Sequence, residues 1–96
     1  MAERPPLEKP DLYVVARILE RLWQQRQPVL RTKLQLAART NYDTLCRYLE
    51  WMESKGLIRF EKLEGERDGA VLTQKGEEAY RRLVQWIDEV INGRFR

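Results

Sequence analysis

Ninety-six residues, 43% apolar and 34% charged with a net charge of +3, describe one soluble globular domain with a single modest core. One cysteine and no histidine exclude an intrachain disulfide and a Cys/His zinc site and remove the commonest general base, so neither an enzyme, a metal nor a cofactor is expected. No apolar run approaches the roughly 20 residues that cross a bilayer, and no signal-peptide pattern opens the chain; a cytoplasmic location without a membrane partner is the expectation.

Residues 1–10 hold three of the four prolines and no apolar period. They read as an irregular arm that two cations and two acids leave without a net charge. Asp11 has the chemistry of an N-cap. After it Leu12, Val15, Ile18, Leu19, Leu22 and Trp23 recur at helical spacing to about residue 25, and Pro28 interrupts the run. Val29 and Leu30 suit a short extended piece. A shorter helix over 31–38 follows, with Leu34, Ala37 and Ala38 inward, and Arg39-Thr40 supplies a tight turn.

Thr40 or Asn41 then caps a third helix running to Ser54. Its apolar stripe is Tyr42, Leu45, Cys46, Leu49 and Met52, and Gly56 terminates it. The period changes to two over 57–63, with Ile58 and Phe60 on one face and Arg59 and Glu61 on the other. A glycine-bounded polar turn over 64–69 and a second strand over 70–72 complete a hairpin. Thr73 caps a last helix to about Ile91, ended by Asn92-Gly93. The paired acids Glu77-Glu78 and Asp88-Glu89 fall within its pattern as a solvated face.

The order helix, helix, turn, helix, hairpin, helix predicts a mainly α winged helix-turn-helix with a small β-hairpin, α-α-α-β-β-α. The arm takes residues 1–10, the winged core 11–73, and a helix for packing and dimerisation with a short tail 74–96. Three stretches give this layout a resemblance: Thr32-Lys33-Leu34 with Ala38, Asn41-Tyr42 and Leu45; Tyr48-Leu49-Glu50 with Lys55-Gly56-Leu57-Ile58; and Leu72-Thr73-Gln74-Lys75-Gly76. Together they resemble the small archaeal winged-helix DNA-binding proteins, a family of predicted regulators and chromatin-associated proteins. That resemblance, over about residues 12–91, implies double-stranded DNA binding through the third helix and the wing, and dimers built on the last helix.

At about 100° per residue, the third helix leaves Asp43, Thr44, Arg47 and Trp51 outward, with Tyr48 at the core edge. Asn41, Thr44 and Arg47 are candidates to face a DNA groove. Arg31, Lys33 and Arg39 are candidates for phosphates, and Arg59, Lys62 and Arg67 extend the cationic frame across the wing. Charge works against the reading element. Residues 1–40 carry eight Lys/Arg and four Asp/Glu, a net of +4, whereas 41–73 carry five and seven, a net of −2. Since phosphate neutralisation supplies most non-specific affinity, this distribution suits modest, sequence-selective binding by a transcription regulator. An acidic wing and an outward Trp51 suit the alternative, a winged-helix protein-interaction module in a multiprotein assembly.

The last helix is apolar over about 160° of its circumference by the same spacing, more than the roughly 100° one core requires. Tyr80 and Leu83 are expected to pack on their own domain and also, with Trp86, Ile87, Val90 and Ile91, to contribute to a homodimer interface. Cys46, on the buried stripe of the third helix, reads as an inert core residue.

Overall fold

The computed structural model describes Pro5 and residues 7–93. Helix α1 (Leu12–Gln25) starts where the Asp11 side chain accepts the Tyr13 N–H at 2.8 Å, as its N-cap chemistry predicts. It ends at Arg26, whose left-handed backbone turns the chain toward Pro28. Strand β1 (Val29–Leu30) leads directly into α2 (Arg31–Ala38). The Arg17 Nε–H donates to the Ala38 carbonyl at 3.2 Å, supplying one terminal carbonyl of α2 with a partner from α1.

Helix α3 (Tyr42–Ser54) is capped by Asn41, whose side-chain oxygen accepts the Thr44 N–H at 2.8 Å. Its other end closes in a Schellman arrangement. The Leu57 N–H reaches the Met52 carbonyl and the Gly56 N–H the Glu53 carbonyl, each at 2.9 Å, with Gly56 at φ 75°. Strands β2 (Ile58–Lys62) and β3 (Asp68–Leu72) flank a short 3-10 turn at Glu64–Glu66. The second strand thus starts two residues before the expected Ala70. A two-stranded wing was expected, yet the sheet has three antiparallel strands in the order β1-β3-β2, with Val29 opposite Ala70 and Phe60 opposite Ala70 on its other side. The two residues of β1 cover the free edge of β3. Helix α4 (Gln74–Trp86) is followed by a single π-helical turn, Ile87–Ile91, where an unbroken α-helix was expected.

This arrangement is the winged-helix layout, mainly helical with a small antiparallel sheet. Val15, Ile18, Leu19 and Leu22 of α1, Leu34 and Ala38 of α2, Leu45, Leu49 and Met52 of α3, and Ile58 and Ala70 of the sheet form one buried cluster. Leu12, expected on the inner stripe of α1, is 68% exposed, and Val14 is buried instead. Cys46 is buried as expected. The arm is not wholly separate from the core, because Leu7 packs against it. The remainder of the expected arm, residues 1–4 and 6, lies outside the described residues, as do residues 94–96 of the tail.

The end of α3 and the start of α4 meet in one knot. The Thr73 N–H donates to the Leu57 carbonyl at 3.1 Å. Its hydroxyl donates to the Gly56 carbonyl and accepts the Gly76 N–H at 3.0 Å. Gly76 is buried, and a Cβ there would lie 2.0 Å from the Leu57 carbonyl oxygen. Backbone must therefore move to admit any side chain. Gly76→Ala is expected to lower stability by about 3 kcal/mol, read as a lower urea-unfolding midpoint with the helical signal retained in the absence of urea.

Candidate functional site

The N-termini of α2 and α3 open on the same side of the molecule, facing the turn of the hairpin. Leu30, Arg31, Thr32, Tyr42, Arg67 and Asp68 line a groove of about 380 Å³ between them. Each helix start presents N–H groups that its own hydrogen-bond ladder does not use, and with them a partial positive charge. In the first turn of α3 the Thr44 amide is taken by the Asn41 side chain.

Arg31 is held firmly at the floor of this groove. Its guanidinium stacks over the Phe60 ring at 4.4 Å, and Nη1 donates to the Cys46 sulfur at 3.6 Å. One residue of α2 thereby touches both α3 and β2. Arg67 enters from the opposite wall, where its Nε–H donates to the Glu64 carbonyl at 3.3 Å. Lys62 shares the hairpin tip but lies 3.6 Å from Asp68 and 3.8 Å from Glu66, so two acids already neutralise it. Arg39 is exposed in the α2–α3 turn, in the left-handed region at φ 58°.

Other candidates sit elsewhere. Strand alternation places Arg59 and Val71 on the face opposite Phe60 and Ala70. There Arg59 pairs with Glu61 at 2.8 Å and shares a second groove, of about 230 Å³, with Arg26, Pro28 and Glu77; Arg26 and Glu77 are themselves 3.3 Å apart. Lys33 is exposed beside Arg21, Leu36 and Ala37 on the flank of α2. Arg47 and Trp51, expected to point outward, are half-buried: the Arg47 Nε–H donates to the Pro5 carbonyl at 3.1 Å, and Trp51 packs against the core. Thr44 is half-buried beside them.

Four groove residues, Leu30, Thr32, Tyr42 and Asp68, are not among the candidates named from the sequence. Tyr42, expected on the buried stripe, is 43% exposed. The helical wheel gives its direction correctly, but it stands in the first turn, beyond the end of the core. Thr32 stands in the Thr32-Lys33-Leu34 stretch that carries the family resemblance, but nothing in that stretch marks it as a groove residue.

A separate surface shares no lining residue with this groove. Leu12, Tyr13, Ala16, Leu83, Trp86, Ile87 and Ile91 line an apolar groove of about 340 Å³ between α1 and the π turn. Trp86 is 54% and Ile91 65% exposed, and Val90 is exposed alongside. Tyr80 and Leu83 pack on their own core as expected, with the Tyr80 ring 5.2 Å from that of Trp23. Burial, and secondarily the charge of Glu20, pushes the Tyr80 hydroxyl above its usual pKa, so it stays protonated at neutral pH. Among the described residues no helix is long and apolar enough to cross a membrane, and no cluster of His, Cys, Asp or Glu could hold a metal ion.

Residues 11–90 match the sequence signature of a family described as winged helix-turn-helix. No curated protein sequence matches the chain. Among solved structures, a variant of MepR from a multidrug-resistant clinical isolate of S. aureus superposes with a TM-score of 0.75 at 20% identity, covering 83% of this chain and 59% of that one. AbsC, a MarR family transcriptional regulator from Streptomyces coelicolor, superposes with a TM-score of 0.66 at 25% identity, over 80% of this chain and 57% of that one. Another S. aureus MepR variant, bound to an oligodeoxyribonucleotide, does so with a TM-score of 0.66 at 18% identity, over 86% and 64%. The chain thus spans under two thirds of the length of these regulators.

The groove depends on the first turn of α3 staying wound, which gives the Asn41 cap a measurable weight. Asn41→Ala is expected to cost about 1 kcal/mol of unfolding free energy, and Asn41→Asp to retain it, because a carboxylate accepts the same amide and suits the helix dipole. Paired chemical denaturation curves read both.

Proposed function

The chain belongs to the winged helix-turn-helix family, and from that premise we propose that it is a transcription regulator that binds double-stranded DNA with sequence selectivity as a homodimer. The observation that carries this reading is the groove where the starts of α2 and α3 converge between Arg31 and Arg67. Helix N-termini are ready anion sites, and two guanidiniums beside them suit a phosphodiester track. In this reading Arg31, Lys33, Arg39 and Arg67 hold phosphates, and Asn41, Tyr42 and Thr44 approach base edges from the first turn of α3. An arginine kept at the left-handed Arg39, where glycine would be less strained, is consistent with a contact role. Lys62 contributes little through its two acidic neighbours, and Arg59 faces away.

The MepR variant bound to an oligodeoxyribonucleotide makes DNA the partner of choice for the shared fold. The narrower kinship, with small archaeal regulators and chromatin-associated proteins, rests on the three sequence motifs. A cytoplasmic, non-catalytic role accompanies this reading. The acidic hairpin tip favours one competing reading, a protein-interaction module whose wing meets a basic partner surface.

Homodimerisation would use the apolar groove of α1 and the π turn. Trp86, Ile87, Val90 and Ile91 beside Leu12 and Tyr13 form a continuous exposed apolar patch of the kind that soluble monomers rarely carry. A second copy related by a two-fold axis covers such a patch with itself and carries two α3 helices to successive major grooves.

Two measurements check these readings. Affinity for mixed genomic DNA fragments is expected to fall with rising salt, with a log–log slope shallower by about 1 in Lys33→Ala and in Arg67→Ala and unchanged in Arg59→Ala. Absence of binding at low salt favours the interaction module. Sedimentation is expected to give a dimer for the wild type and a monomer for Ile87→Glu; a monomeric wild type removes the dimer.

A further inference from the structure

The segment ahead of α1 is fastened along the reading helix. Leu7 packs against the core, the Asp11 N–H donates to the Tyr48 hydroxyl at 2.8 Å, and the Pro5 carbonyl accepts the Arg47 Nε–H at 3.1 Å. Tyr48 and Arg47 are neighbours on α3, so the segment runs across that helix rather than away from it. Helical spacing puts Arg47 on the outward side of α3, yet it is half-buried, and the Pro5 carbonyl is one of its partners. Residues 5–11 carry Glu8 and Asp11 against Lys9, a net of −1, so overall charge does not draw them to an acidic helix.

We propose that Pro5 and residues 7–11 form an autoinhibitory strap that engages the Arg47 guanidinium on α3 until DNA displaces it. This inference rests on the DNA-binding reading above. The chemistry of the exchange favours release on DNA. The Pro5 carbonyl is a neutral acceptor, whereas a phosphate oxygen is charged and forms the stronger bond with a guanidinium. Leu7 is the anchor that must be withdrawn. The bond from Asp11 to Tyr48 is the hinge, since Asp11 remains fixed as the cap of α1. DNA affinity is therefore reduced by the fraction of molecules whose strap is closed.

The test is a double-mutant cycle on the full chain and on a chain lacking residues 1–9, each with and without Arg47→Ala, using labelled mixed genomic DNA fragments at low salt. Removing the strap is expected to raise affinity about tenfold when Arg47 is present, the scale of one hydrogen bond to a charged group, and to change it less than about twofold in Arg47→Ala. Leu7→Ser, which loosens the anchor without shortening the chain, is expected to move affinity in the same direction and carries the test if the shortened chain loses its helical signal. Equal affinity with and without the strap overturns the proposal, and so does weaker binding, which would make the arm itself a DNA contact. If neither chain binds DNA at low salt, the DNA-binding reading falls and takes the strap's role with it. Binding by the full chain that strap removal does not raise removes the strap alone.

Discussion

A missing side chain at position 76 sets the geometry on which the rest of the molecule depends. Because Gly76 has no Cβ, the first turn of α4 can lie directly on the Leu57 carbonyl. Thr73 then binds both carbonyls that end the α3 turn while capping α4 with the same hydroxyl. Four segments are tied there: the end of α3, the start of β2, the end of β3 and the start of α4. The angle between hairpin and reading helix follows from this tie, and with it the width of the groove that faces Arg31 and Arg67. The direction of α4 follows too, and with it the placement of Trp86 and Ile91.

Under the proposed DNA-binding reading, electrostatics explains how a segment of net negative charge would still form a site for an anion. The acids of the hairpin tip are partly spent on Lys62, and the groove draws its positive potential from two helix N-termini and two arginines. Arg31 is positioned by stacking on Phe60 and by the Cys46 sulfur. Its charge is thus presented at little cost in side-chain freedom. Under the same proposed reading, a few fixed charges with a sparse cationic frame would favour recognition that depends on register over indiscriminate attachment to phosphates.

The element boundaries were legible because the devices that set them are local. Asp11, Asn41 and Thr73 cap the helices they precede, and Gly56 takes the left-handed turn that ends α3. Positions along an axis were less legible than directions around it. Tyr42 and Leu12 lie on the apolar stripe that the helical period gives, but each is the first residue of its helix and both are exposed. Long-range pairing left no trace in a two-residue segment, so the third strand, Val29–Leu30 against Gly69 and Ala70, was read only as extended chain. The arm was illegible for a related reason. Among the described residues its attachments include Leu7 and two hydrogen bonds that involve backbone groups, none of which has a period. Alternation along β2, by contrast, does separate Arg59 from Lys62; grouping them overlooked a distinction the sequence contains.

Convergence of the starts of α2 and α3 on one anion-binding groove is the central claim, and amide chemical shifts of an isotope-labelled chain titrated with short duplex DNA at low salt address it directly. Shifts are predicted at Thr32, Lys33, Tyr42, Asp43, Thr44 and Arg67, with the groove of Arg26, Arg59 and Glu77 on the opposite sheet face unchanged. Shifts confined to that opposite groove, or no shifts at any DNA concentration, would contradict it.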